Sequence, residues 1–386
     1  MAFEFINDAL AQRKQAHLYR QLTPIESAQQ REITVGGQRY LNFSSNDYLA
    51  LANEPLLVKA WQQGLEHYGC GSGASALVTG YSKAHQQLEE KLKAWLGVEA
   101  IALFNSGYSA NQAVLKLLLG KDDLLLQDRL NHASLMEAGS LLPCKMMRFR
   151  HNDVEHLASL LAKPASNKLI VSEGIFSMDG DGAPIAQLLQ LREQHNAWLM
   201  IDDAHGIGVL GRAGTGSVCA AGAHNQDVNI YMATFGKALG VGGAMVAGSA
   251  EFIDYLTNFS KPYIYTTAMP PAQAVAVGAA IDIVIKQPWR LSQLQDNIYY
   301  FRRLASQLGL PLMASQSAIQ PILIGDSERA LHVSNALREL GFYCAAIRPP
   351  TVAQGSARLR ITLTAKHQTK DIDALLNALT QVLGTS

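Results

Sequence analysis

Between about residues 69 and 248 the chain alternates short apolar runs with stretches of helical periodicity, and few architectures accept that alternation. Parallel strands cannot be joined by a tight turn, so each apolar run must lead into a crossover, usually a helix. The pattern therefore predicts an α/β fold with a mostly parallel sheet covered by helices. Strands are expected at 100–104, 123–127, 169–172 and 199–202, and helices at 110–119 and 185–195. Upstream, 3–19 reads as an amphipathic helix packed as an arm on the body, and 33–40 as a hairpin about Gly36-Gly37. Downstream, a helix-rich span over 271–308 breaks at Pro288, and strands and helices alternate again over 320–383. The expected organisation is an N-terminal arm and hairpin over 1–45, a large α/β domain over 46–287 and a smaller C-terminal α/β domain over 288–386.

Such a sheet also constrains where chemistry sits, because open α/β sheets bind ligands beyond the C-terminal ends of their strands. The strand at 199–202 ends in Asp202-Asp203-Ala204-His205, and farther on comes Thr234-Phe-Gly-Lys237 in a glycine-rich run. A lysine amine forms a Schiff base with an aldehyde cofactor, whose ring accepts electrons best when a carboxylate keeps its nitrogen protonated. Lys237 and Asp202 match those two roles and read as the halves of a pyridoxal 5'-phosphate site. His205 is placed to reach the ring hydroxyl, and Thr234, one helical turn before Lys237, to bind the phosphate. The turn from Asn105 to Asn111 opens a helix, where free N–H groups and the helix dipole hold phosphate and Gly107 permits close approach. A plain N-cap at Ser106 or Ser109 is the alternative reading of the same turn. His132 follows another strand and offers an imidazole to stack on the ring, and Ser177 follows a fourth and offers a hydroxyl. Arg358 and Arg360 alternate on a strand and point to opposite faces, so one can grip an amino-acid carboxylate while the other forms a surface ion pair.

Other chemistries fit less well. Lys+Arg and Asp+Glu both number 32, so no global charge favours nucleic acid or an anionic membrane. Cys70, Cys144, Cys219 and Cys344 are scattered without a Cys-x-x-Cys pair, which argues against a disulfide scaffold or zinc site and for a reducing cytoplasm. Asp202, Asp203 and His205 are all metal-ligand types, yet no further ligand clusters with them at recognisable spacing, so no metal is expected. Gly240, Gly242 and Gly243 lie between Lys237 and an apolar run, which is the wrong order for a dinucleotide loop. The N-terminus acquires charge too early for a secretory signal, and the apolar stretch 272–285 contains Gln273 and Asp282, so no membrane span is predicted.

Several longer motifs stand in order along the chain: Phe43-Ser-Ser-Asn-Asp-Tyr-Leu49, Leu77-Val-Thr-Gly-Tyr-Ser82 with His85 and Glu89, Phe176-Ser-Met-Asp-Gly-Asp181, Ile201-Asp-Asp-Ala-His-Gly-Ile-Gly208, and Pro349-Pro-Thr-Val352 before Arg358-Leu-Arg-Ile-Thr362. With them the chain resembles, over essentially its whole length, the α-oxoamine synthases, fold-type I pyridoxal phosphate enzymes that condense an amino acid with an acyl thioester. The resemblance implies that Lys237 is the Schiff-base lysine, Asp202 the pyridinium partner, His205 the ring-hydroxyl contact and His132 the stacking imidazole. It implies phosphate contacts from Gly107, Tyr108 and Thr234, a cofactor contact from Ser177, a carboxylate anchor at Arg360, and substrate contacts at Arg20 and Thr351. It further implies L-alanine and a pimeloyl thioester, on coenzyme A or an acyl carrier protein, as substrates, with glycine-using siblings as the alternative. A homodimer with shared active sites follows from the same likeness, Asn46 and Thr266 or Thr267 being supplied across the interface. One departure is Gly71-Ser-Gly-Ala-Ser-Ala76, where the family pattern is Gly-Ser-Gly-Gly-x-Arg, so a positive charge is missing from a loop near the expected interface.

Overall fold

In the computed structural model of the protein, the described residues run from 3 to 384. Its contacts group the chain into two compact units. The larger holds Leu51–Ser177 and Asp181–Leu291, and the other holds the chain up to Ala50, Met178–Gly180 and everything from Ser292 onward. Three consecutive segments were expected; instead the N-terminal hairpin joins the C-terminal part. The reason lies in strand pairing: Gln38–Asn42 bonds antiparallel to Glu32–Val35 on one side and parallel to Phe342–Tyr343 on the other.

The larger unit is built on a sheet of seven strands. In chain order they are β1 (Ala100–Phe104), β2 (Leu124–Asp128), β3 (Lys145–Phe149), β4 (Lys168–Glu173), β5 (Trp198–Asp202), β6 (Ile230–Thr234) and β7 (Ala244–Gly248). Their order across the sheet is β1-β7-β6-β5-β4-β2-β3. The strands from β6 to β3 pair in parallel, whereas β7 runs antiparallel to both β6 and β1. Residues 235–243 are too few for a crossover, so after β6 the chain must turn back beside it. β2, β4 and β5 read as nearly continuous apolar runs because helices cover both faces of a parallel sheet. Leu125, Val171, Met200 and Met232 from the sheet pack with Ala110, Ala113 and Val114 of helix Gly107–Leu118 in one buried core. The helices found at Gly107–Leu118 and Ile185–Gln194 match those read from periodicity, except that the first begins earlier, because the Ser106 side chain accepts from Ser109 N at 3.2 Å and caps it there.

The other unit carries a second small sheet, Ile319–Gly325 and Ala345–Ile347 flanking Ala357–Thr362, with helices Ser327–Glu339 and Thr369–Gly384. The helix-rich span divides as expected at Pro288, into Pro271–Lys286 and Trp289–Gln307. The N-terminal helix is shorter than its periodicity suggested, Phe5–Gln15, and none of its residues is buried. Its expected packing as an arm is therefore absent from this chain taken alone, where Phe5 and Leu10 stay exposed. Among the described residues no helix is long and apolar enough to cross a membrane.

Candidate active site

The parallel strands deliver polar residues at one edge. Asp128, Glu173, Asp202 and Thr234 end β2, β4, β5 and β6, and Glu173 stands directly opposite Asp202 in the register of β4 and β5. The backbone leaves the sheet here, so side chains at these positions escape the apolar packing that fills the strands behind them. Glu173, Asp202 and Thr234 open on a cavity of about 180 Å³ whose walls also include Gly107, His132, His205 and Lys237.

Lys237 sits on the turn between β6 and β7, and its Nζ lies 2.7 Å from His205 Nε2. The expected helical turn between Thr234 and Lys237 is a bend instead, since Thr234 is the last residue of β6 and its hydroxyl donates to Gly243 O at 2.8 Å. Gly240, at φ +67°, lets that turn close against the backbone of Leu51 and Ala52, where a Cβ would meet Ala52 N at 2.5 Å. Asp202 is buried and accepts hydrogen bonds from Asn111 Nδ2 at 2.8 Å and from Ala204 N at 3.1 Å. Asn111 also donates to Ser134 Oγ at 2.9 Å, and that hydroxyl lies 2.8 Å from His132 Nδ1. Since Ser134 N donates to the same ring nitrogen, Nδ1 is the acceptor and the His132 proton belongs on Nε2. Burial lowers the His132 pKa, the Asp202 charge opposing this and Lys237 reinforcing it, so the imidazole is neutral near pH 7.

Gly107 and Tyr108 open helix Gly107–Leu118 at this cavity, and Ser106 caps it, the N-cap expected as the alternative reading of that turn. Ser177, beyond β4, is buried, and its backbone N–H serves the Glu173 carboxyl. Thr266 donates through its hydroxyl to Pro262 O at 2.6 Å, and Thr267 accepts from Asn105 Nδ2 at 2.7 Å; both are exposed.

The remaining predicted residues belong to the other unit. There Arg360 Nη1 donates to Asn46 Oδ1 at 2.9 Å, and Arg20 Nη2 to Thr351 Oγ1 at 3.1 Å. Arg358 is not in the surface ion pair expected of it: it is buried and pairs with Asp179 at 2.7 Å, because its strand is covered on both faces.

Asn111, Ser134 and Glu173 were not assigned from sequence. Asn111 had a signal, a polar residue one turn beyond Gly107 on the buried face of the helix, and Glu173 another, a carboxylate closing an apolar strand. Asp203 is not a ligand for anything in the cavity. It is fully buried and accepts from Tyr231 Oη at 2.6 Å and Ser217 N at 2.8 Å. Burial, against those hydrogen bonds, pushes its carboxyl up to about 6. Among the described residues, no group of three or more His, Cys, Asp or Glu is arranged to hold a metal ion. Ala76, at the position of the missing arginine, shares a small cavity with Glu89. Without a cation there, burial raises the Glu89 carboxyl to about 7 while the Tyr81 hydroxyl donates to it at 2.6 Å.

His151 ties the two loops that bear His132 and Ser177. Its Nδ1 lies 3.0 Å from Asp128 Oδ1, its Nε2 lies 2.7 Å from Asp181 Oδ2, and its ring meets the edge of Phe176. Burial alone would lower its pKa, but the hydrogen bonds and charges of the two aspartates outweigh this and raise it to about 10. Replacing His151 by Phe is expected to destabilise the protein by about 3 kcal/mol at neutral pH, because two carboxylates lose their counter-charge. The folded pKa exceeds the unfolded value of 6.5, so this contribution is complete below that pH and disappears as the pH climbs through about 10. Urea denaturation of both proteins across that range tests it, and a pH-independent difference would contradict the imidazolium assignment.

The groups present fit pyridoxal phosphate: an amine for its aldehyde, a buried carboxylate for its ring nitrogen, an imidazole and a hydroxyl beside the ring, and a helix N-terminus with a glycine for its phosphate. Comparison with known proteins agrees. The profile of the family "aminotransferase class I and II" matches residues 38–379. An 8-amino-7-oxononanoate synthase from Aeromonas salmonicida is 54% identical over 378 residues, covering 98% of this chain and 94% of that protein. A serine palmitoyltransferase from S. paucimobilis, solved with pyridoxal phosphate and myriocin bound, superposes with a TM-score of 0.93 at 25% identity, over 99% of this chain and 98% of that one. The 8-amino-7-oxononanoate synthase of Francisella tularensis gives 0.79 at 26% identity, over 90% and 98%. A buried Asp202, a lysine held by His205 and full-length relatives of this kind lead to one conclusion: the chain belongs to the class I and II aminotransferase family, in its pyridoxal-phosphate-dependent α-oxoamine synthase branch.

Proposed function

We propose that this chain condenses L-alanine with a pimeloyl thioester, carried on coenzyme A or an acyl carrier protein, releasing carbon dioxide, the free thiol and 8-amino-7-oxononanoate in biotin biosynthesis. The observation that carries this reading is the 54% identity, over nearly the whole of both chains, to an enzyme of that name. When bound, pyridoxal phosphate supplies an electron sink conjugated with the α-carbon of the amino acid. Lys237 would anchor the cofactor through its aldehyde, and its free amine would take the α-proton onto Nζ. His205, 2.7 Å away, holds that amine in place. Asp202 keeps the ring nitrogen protonated, and Asn111 orients its carboxylate. His132, tied back through Ser134, would cover the ring face, His205 would serve the ring hydroxyl, and Ser177 would contact the cofactor. Gly107, Tyr108 and Thr234 take the phosphate, with Thr266 or Thr267 contributed by a second copy.

Arg360 is assigned to the alanine carboxylate, and Arg20 and Thr351 to substrate contacts; Asn46, expected from across the interface, accepts from Arg360 within the same chain. Arg360→Ala is expected to raise KM for alanine roughly 100-fold, the loss of one charge-assisted fork, with a smaller change in kcat. An unchanged KM would remove Arg360 from that role. A homodimer is supported by exposed Leu77, Val78 and Tyr265, on segments that the Ser75–Thr267 bridge holds together. A cytoplasmic setting is supported by four free cysteines.

The test is a visible absorption spectrum of the purified protein, followed by L-alanine, glycine and then pimeloyl-CoA while thiol release is assayed. A cofactor band that responds to alanine, with thiol released in proportion to amino ketone, is the expected result. Preference for glycine would move the chain to the glycine C-acetyltransferase or 5-aminolevulinate synthase type, and no band after adding pyridoxal phosphate would overturn the assignment.

A further inference from the structure

Glu173 closes β4 at the cofactor cavity, is 2% exposed, and none of the roles above uses it. Its cross-strand neighbour is Asp202, and residues paired in register on adjacent strands present their side chains to the same face. Two carboxylates so placed in a buried site do not both ionise. Asp202 accepts from Asn111 Nδ2 at 2.8 Å and from Ala204 N at 3.1 Å, a pattern suited to the charged partner. Glu173 is bonded differently. Its carboxyl faces the backbone N–H groups of His132 and Ser177, which require an acceptor oxygen. The other oxygen, Oε1, is buried without a protein partner. A proton on that oxygen makes it a hydrogen-bond donor, beside a cavity built to take a ligand rich in acceptors.

We propose that Glu173 is a positioning residue that stays neutral beside a charged Asp202, clamping the His132 and Ser177 backbones with one oxygen and offering the proton of Oε1 to the bound cofactor. Its environment agrees: burial first, then the Asp202 charge, raise the carboxyl well above the ordinary range, while Lys237 and the two N–H groups oppose them without prevailing. Lys237 on the β6–β7 turn and Asp202 on β5 are the charged groups that bear on it. A neutral acid at this point holds the two loops without adding a second negative charge under the ring.

The proposal rests on the cofactor reading of this cavity, and the experiment separates the two. Wild-type protein, Glu173→Gln and Glu173→Ala are reconstituted with pyridoxal phosphate, and each is measured for cofactor dissociation and for the pH midpoint of the visible cofactor band. An amide is neutral at every pH and has both a donor and an acceptor, so Glu173→Gln should keep affinity within about twofold and the midpoint within about 0.3 pH units of wild type. Glu173→Ala removes both hydrogen bonds and should weaken cofactor binding by about tenfold or more. A midpoint displaced by about one pH unit or more in Glu173→Gln would mean that an ionised carboxylate had been removed, which overturns the proposal. Wild-type affinity in a folded Glu173→Ala protein, checked by circular dichroism, would overturn it as well. If the alanine variant does not fold, the glutamine variant alone decides. A wild-type protein without any cofactor band refutes the cofactor reading itself and the proposal with it.

Discussion

Lys237→Ala is expected to lower turnover by at least about 10⁴-fold, because one substitution removes both the covalent anchor and the base. The change is not expected to unfold the protein. Lys237 lies on a turn, and the backbone bonds Phe235 N to Gly243 O and Gly240 N to residue 237 O that shape it do not involve the side chain. Cofactor affinity should fall but persist, since the carboxylate, imidazoles and helix N-terminus remain. The decisive measurement is exchange of the alanine α-proton with solvent in the reconstituted variant. Exchange should be lost with turnover and be partly restored by a small added amine that fits the vacated space. Exchange at the wild-type rate would assign the base to another group of the cavity, such as His205 at 2.7 Å or His132.

Asp202→Asn should cost roughly 10²–10³-fold in kcat, the usual loss when a group preorganised against developing charge is neutralised. The shape is preserved, so KM for alanine should change much less than kcat. Asp202→Ala adds a second defect, because the buried Asn111 amide then loses an acceptor it reaches at 2.8 Å, a penalty of about 1–3 kcal/mol. Stability should therefore separate the two variants while their rates fall together. If Asp202→Asn kept wild-type kcat, the carboxylate would have no part in holding the ring protonated. The same pair of variants distinguishes Asp202 from Asp203, whose replacement breaks bonds to Tyr231 and Ser217 and so should reduce stability first and rate only through it.

Much of this site could be read along the chain. Asp202 closed a strand with His205 just beyond it, Lys237 stood in a glycine-rich turn, Gly107 opened a helix, and the longer motifs named the family. Each of these depends on local pattern, on periodicity and on turn chemistry, which neighbouring residues determine. The bend at Lys237 shows where local reasoning stopped: a spacing of three residues suits a helix, but the antiparallel return of β7 left room only for a turn. Alternation put one of the two arginines at the surface, Arg358 once the resemblance had given Arg360 the anchor, and only the covering of its strand on both faces put it in a buried pair with Asp179.

The sequence by itself determined the order of strands and helices, the edge of the sheet where chemistry collects, and the identity of the lysine, aspartate and imidazoles there, because covalent spacing and hydrophobic period are properties of the chain. Only the tertiary structure decided that Asn111 reaches Asp202 across 91 positions, that His132 is tied through Ser134, and that Glu173 stands opposite Asp202 in a buried register. Those outcomes depend on distance and burial between distant segments, and a pKa or a hydrogen bond responds to its surroundings in space, not to its neighbours in sequence.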